Sequence, residues 1–152
     1  MPHDTDQNDA LVHVRRAGIR DLSFVRKAVC EIHERRLESD EAMAAFLADE
    51  TCYLYIAVAG DEVVGSLNGY ALTHPHTRRP QFLLYEIDVR QSWRRRGIGS
   101  SLIAAFQEES RERGAFGLWV VTDRANTAAM GMYGKCGLAT SDLEDVVFSM
   151  VP

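Results

Sequence analysis

Three arginines run directly into two glycines at Arg94-Arg95-Arg96-Gly97-Ile98-Gly99, after an apolar stretch and ahead of a long amphipathic one. A helix opening there leaves its first N–H groups without intrahelical acceptors and carries partial positive charge at that end. Glycine lets a backbone approach a ligand closely, and guanidinium groups add bidentate donors. Together these are the parts of a pyrophosphate cradle. The spacing alone suits a solvated turn before a tight helix start equally well. The segment lacks the GKS or GKT ending of a P-loop, and the full GxGxxG of a dinucleotide fold is absent too.

Two carboxylates, Glu86 and Asp88, lie in the apolar run FLLYEIDV at 82–89. Strand alternation predicts Phe82, Leu84, Glu86 and Asp88 on one face, with Leu83, Tyr85, Ile87 and Val89 on the other. Carboxylates are costly to bury unpaired. Each is therefore either tied to an arginine or a backbone donor, or borders a cleft where it binds or deprotonates an ammonium ion. Tyr133 shares a helical face with Ala129 and Cys136, as a core residue would, while a phenol of ordinary pKa near 10 is also a proton donor at neutral pH. Asp123 and Asn126 flank a strand end and a helix start, where Asn126 suits a cap. His74 and His76 flank Pro75 with no third ligand near in sequence, so no metal site is expected.

These groups need elements to hold them. Residues 11–16 read as a first strand, and Leu22, Val25, Val29 and Ile32 recur at helical spacing, predicting a helix from Asp21 to about Arg36. Ser39 suits the N-cap of a second helix carrying Met43, Phe46 and Leu47. Residues 52–59 and 62–73 form a predicted hairpin about Gly60-Asp61, and the loop 74–80 with its two prolines leads to a central strand at 82–89. A helix over 97–113 stopped by Gly114, a strand at 116–121, a helix from Asn126 closed by Gly137, and a last strand at 145–151 complete the order. The order β-α-α-β-β-β-α-β-α-β is that of a mixed α/β sheet in one domain over 11–152, preceded by a polar tail at 1–10.

A chain of 152 residues, 46% hydrophobic and 26% charged, can build one core and does not read as disordered. No apolar run approaches the ~20 residues of a membrane span. Three cysteines without CxxC spacing fit a reducing cytoplasm better than a disulfide framework. The net charge of -5 argues against nucleic acid as a partner. Its distribution, basic at 94–96 and acidic at Glu31, Glu34, Glu38, Asp40 and Glu41, suits an anionic cofactor beside a cationic substrate.

Arg94 to Gly99 resembles the R/Q-x-x-G-x-G/A signature of the GNAT acyltransferase superfamily, and 126–138 resembles its N-x-x-A-x-x-x-Y-x-K-x-G-[FL] pattern. Element order extends the likeness over 11–151. The resemblance implies a central mixed, mostly antiparallel sheet flanked by helices and splayed between its fourth and fifth strands. It implies acetyl-CoA as cosubstrate, with its pyrophosphate on Arg94, Arg95, Arg96, Gly97, Ile98, Gly99 and Ser100. Its pantetheine arm would pair with backbone groups of Ile87 and Val89 and touch Asn126. Tyr133 would be the acid toward the leaving thiolate, and Glu86 the base in a direct attack within a ternary complex. Asp61-Glu-Val-Val-Gly, Tyr70, Tyr85-Glu86 and the closing Val-Val-Phe-Ser-Met are similar to the short aminoglycoside 3-N-acetyltransferases, with Glu86 where an Asp is expected. That narrower likeness implies a small polycationic amine on Tyr85, Glu86, Asp88 and Asp123, modification conferring drug resistance, and a homodimer with Val146–Val151 as a candidate interface.

Overall fold

The computed structural model describes residues 11–140 and 147–151. The tail expected at 1–10 lies outside the described residues. Among the described residues five strands, β1 (Val12–Arg16), β2 (Cys52–Ala59), β3 (Glu62–His74), β4 (Thr77–Val89) and β5 (Gly117–Val120), form one open sheet in sequence order. All neighbours are antiparallel except β4 and β5, which run parallel on either side of a crossover helix. The helices are α1 (Leu22–Lys27), continued by a π-helical turn over Ala28–Ile32, then α2 (Asp40–Ala48), α3 (Ile98–Glu112) and α4 (Thr127–Lys135).

The sheet carries a core on each face. Strand β2, apolar along its whole length, shows how: Tyr53, Tyr55, Ala57 and Ala59 join Leu102, Ile103 and Phe106 of α3, while Leu54, Ile56 and Val58 join Val25, Ala28, Ile32 and Met43 of the first two helices. A continuous hydrophobic run is the pattern of a strand buried on both sides. Ser39 caps α2 as expected, its Oγ accepting from Ala42 N–H at 3.1 Å. Gly114 and Gly137 follow α3 and α4 with positive φ of 66° and 81°.

Four local expectations need correction. The first helix ends at Ile32 rather than near Arg36, because Glu34 turns left-handed (φ 52°) and Arg35 N–H reaches back to Val29 O. The loop at 74–80 is shorter than its prolines suggested: β3 runs to His74 and β4 starts at Thr77. Pro80 sits where the β3–β4 register shifts, at an irregularity that spares it a ladder donor.

The third correction matters for chemistry. Asn68 pairs with Glu86 but Gly69 pairs with Leu84, so Tyr85 is an extra residue and β4 is bulged. Alternation therefore reverses there. Phe82 and Leu84 share the α3 face with Ile87 and Val89, whereas Glu86 turns to the α1–α2 face, where it meets His33 and Arg35. The sequence-based face of Phe82, Leu84, Glu86 and Asp88 is thus split by the bulge.

Finally, the described residues 147–151 of the strand expected at 145–151 are not in the sheet, and Phe148 is 93% exposed. Residues 145–146 lie outside the described residues. Alternating apolar residues make a strand only where a ladder partner is available.

Beside the bulge stands Gly69, where a Cβ would lie 2.4 Å from Phe106 Cζ and 2.6 Å from Leu83 O. We expect Gly69→Ala to cost about 1–3 kcal/mol of unfolding free energy through overpacking, as read from urea denaturation of the two proteins. An unchanged midpoint would mean that Phe106 and the bulge relax freely.

Candidate active site

The turn from β4 to α3 is built for an anion. Arg95 and Gly97 both take left-handed backbone angles (φ 60° and 78°), which fold the loop back upon the start of α3. Gly97 is the N-cap and makes no side-chain cap bond. In helix geometry the N–H groups of Ile98, Gly99 and Ser100 then have no intrahelical acceptor. A Cβ on Gly97 would meet nothing within 4 Å, so the space in front of the turn is open. The three arginines flank it: Arg96 stacks over Trp93 at 4.9 Å and donates to Ser92 O, and Arg94 and Arg95 are exposed. Donor set, glycine and charge fit a diphosphate.

Beside this turn the sheet is open. Strands β4 and β5 pair only over Gln81–Leu84 with Gly117–Val120, so among the described residues β4 has no strand partner on that side beyond Leu84. This is the expected splay, and an extended chain could add there as a strand. At its end, Val89 N–H donates to Asp88 Oδ1 (2.8 Å) and Val89 O accepts from Arg94 Nε (2.9 Å). Arg94 Nη2 closes the clasp on Asp88 Oδ1 at 3.0 Å. Asp88 is thus tied to an arginine and a backbone donor.

Glu86 stands on the opposite face of β4 from Ile87 and Val89. Its Oε1 is 3.3 Å from Arg35 Nη2 and 3.6 Å from His33 Nδ1. The His33 side chain is only 3% exposed, and neither ring nitrogen has a hydrogen-bond partner among the described residues. Burial holds its pKa below the ordinary value; Glu86 and Asp88 pull the other way, and Arg35 adds to the lowering. Register puts Asn68 opposite Glu86 and Ser66 opposite Asp88, and Asn68 Oδ1 and Ser66 Oγ are likewise buried without partners. Tyr85 stands edge-on to Tyr70, and Tyr70 edge-on to Phe46, which makes an aromatic wall next to Glu86. Glu31, Glu34, Asp88, Arg90 and Arg94 border an adjoining open depression of about 580 Å³.

Tyr133 sits in the α3-face core with Ile87 and Val89 packed against the same cluster. Burial raises its pKa, so the phenol is held in its protonated form. Tyr133 and Glu86 thus lie on opposite faces of the sheet, with the unpaired edge of β4 between them. Asn126 caps α4 by accepting from Ala129 N–H at 3.1 Å, and Asp123 Oδ1 accepts from Ala125 N–H, so both have local structural partners. Among the described residues no three His, Cys, Asp or Glu side chains gather as a metal site, and no helix is long and apolar enough to cross a membrane.

The residues missed from sequence are His33, Ser66 and Asn68. Ser66, Asn68 and Tyr70 alternate through an otherwise apolar strand, a polar stripe of period two that was legible. His33 gave no such signal, because it directly follows the buried Ile32 at the end of an amphipathic run.

Known proteins converge on the same assignment. Residues 21–138 match the Acetyltransferase (GNAT) family. Streptothricin acetyltransferase of Streptomyces lavendulae is 29% identical over a match covering 62% of this chain and 48% of that protein, so the chain spans about half the length of that relative. Aminoalkylphosphonate N-acetyltransferase of Salmonella typhimurium is 30% identical over 67% of this chain and 68% of that one. An aminoglycoside acetyltransferase from an uncultured soil metagenomic sample, solved with sisomicin, superposes with a TM-score of 0.78 at 23% identity, over 94% of this chain and 99% of that chain. With the α/β fold, the open β4–β5 edge and the glycine turn in place, the chain belongs to the GNAT acetyltransferases, a family that uses acetyl-CoA.

Proposed function

We propose that this protein transfers the acetyl group of acetyl-CoA to a primary amine of a small polycation, by direct attack in a ternary complex. The observation that carries the reading is the adjacency of the free N–H groups opening α3 to the unpaired edge of β4 beyond Leu84. The turn Arg94–Ser100 would hold the pyrophosphate, the β4 edge at Ile87 and Val89 the pantetheine arm, and Asn126 would contact that arm. Binding at Val89 would exchange its bonds to Asp88 and Arg94 for bonds to the arm.

Acetyl-CoA supplies the thioester carbonyl carbon to which the amine nitrogen bonds as the C–S bond breaks. Glu86 takes one proton from the acceptor ammonium, and the neutral amine so formed attacks; Tyr133 gives its phenolic proton to the departing sulfur, and the second proton shed by the acylated nitrogen restores the phenol. The aromatic pair Tyr70–Tyr85 and the carboxylates Glu31, Glu34, Glu86 and Asp88 favour a cation on the acceptor side. Asp123, across the β4–β5 opening, would contact the same acceptor. Within this class we infer an aminoglycoside acetylated at its 3-amino group. The likeness of Tyr85-Glu86 and its surroundings to the short aminoglycoside acetyltransferases supports this choice. Loss of the ammonium charge would weaken such a drug's hold on RNA phosphates.

Two outcomes test this. Thiol release should be rapid with gentamicin-type drugs and slow with spermidine or N-terminal peptides, and NMR of the product should place the acetyl group on the 3-nitrogen. No turnover with any aminoglycoside removes the substrate assignment but leaves the acetyl-CoA chemistry standing. Tyr133→Phe should lower kcat by about 10²-fold with the dissociation constant for acetyl-CoA nearly unchanged, measured by stopped flow and calorimetry. Because burial raises the phenol's pKa, any alkaline fall in wild-type kcat from this residue should come at higher pH than an ordinary phenol would give. Undiminished kcat in the variant excludes Tyr133 as the acid.

A further inference from the structure

Behind Glu86 lies a group that the chemistry above leaves unused. The π-helical turn Ala28–Ile32 delivers His33 onto the α1–α2 face of the sheet, with its side chain 3% exposed and Nδ1 3.6 Å from Glu86 Oε1. Among the described residues both ring nitrogens lack hydrogen-bond partners, as do Ser66 Oγ and Asn68 Oδ1 on the strand beside it. A buried imidazole with two idle nitrogens is unfavourable for stability alone, since each unsatisfied polar atom has given up its hydrogen bonds to water without replacement. The sheet register brings this polar group to the one carboxylate of β4 that turns from the α3 core toward Arg35. Catalytic hydrogen bonds are often long in an unliganded site and tighten when substrate binds.

We propose that His33 is the positioning residue of Glu86: its neutral ring directs Nδ1–H at Oε1 and fixes the carboxylate toward the acceptor amine. This rests on the reading of Glu86 as the base. With Nδ1–H turned to Glu86, the lone pair of Nε2 faces a buried interior. The ring is kept neutral there by desolvation and by Arg35, against the pull of Glu86 and Asp88. The groups that bear on the pair are Asp88 on β4, Tyr70 on β3 and Arg35 on the segment after the π turn. Protonation of the ring at low pH ends its role as a neutral donor and weakens Glu86 as a base, so the acid limb of the rate profile belongs to the two groups jointly.

The test uses the full chain. Nitrogen-15 NMR of the imidazole should show His33 titrating below the ordinary value of about 6.5, and Glu86→Gln should move it further down. His33→Leu should lower kcat/KM roughly tenfold or more, shift the acid limb to higher pH and leave acetyl-CoA affinity intact. His33→Asn, which returns an N–H near the Nδ1 position, should recover most of the rate. An imidazole titration indifferent to Glu86→Gln, or an acid limb unmoved in His33→Leu, overturns the proposal. Should His33→Leu fail to fold, the NMR comparison still decides. If Glu86→Gln keeps the wild-type rate and profile while the imidazole titration responds to it, the pairing stands and Glu86 is not the base.

Discussion

One extra residue in one strand organises this molecule. Tyr85 has no counterpart on β3, and the alternation of β4 changes phase around it. Before the bulge, Phe82 and Leu84 seal the core against α3; after it, Ile87 and Val89 take over that work and two acidic side chains are released from it. Without the phase change Glu86 would be driven into a cluster of Leu102, Ile103 and Phe106, an environment in which a carboxylate is unstable. The bulge also coincides with the place where β4 loses β5 as a neighbour. A strand edge, a carboxylate and a helix N-terminus thus meet within one stretch, Leu84 to Ser100.

The electrostatics of that stretch divide by side. Basic groups gather at the α3 turn, where Arg94, Arg95 and Arg96 surround free amides. Acidic groups gather toward the first helices, where Arg90 is already engaged with Glu31 and Glu62 and with Val63 O at 2.7 Å. An anion on one side and a cation on the other fit this arrangement better than two ligands of one sign. Exposed ion pairs elsewhere, such as Arg111–Glu108, add little stability.

Much of this was legible in sequence where a local rule governs. The arginine–glycine turn, the helix over Ile98–Glu112, its stop at Gly114, the Asn126 cap and the opening between β4 and β5 follow from capping chemistry, periodicity and resemblance to a known pattern. What escaped depends on pairing between distant segments. Nothing in FLLYEIDV announces that Tyr85 is unpaired, because the register is set across the ladder, where Asn68 pairs with Glu86 and Gly69 with Leu84. His33 escaped for the same reason: its importance comes from β4, 53 positions away. The closing strand was over-read, since apolar alternation at 147–151 does not supply a partner.

Related acetyltransferases are named for substrates as different as streptothricin and aminoalkylphosphonate, so the acceptor varies across relatives of this fold. The most direct measurement is an amide proton–nitrogen NMR titration of the full chain with acetyl-CoA. The account predicts a saturable complex whose largest shifts fall on Gly97 to Ser100 and on the β4 edge at Ile87 and Val89. No saturation, or perturbation confined to other surfaces, contradicts it.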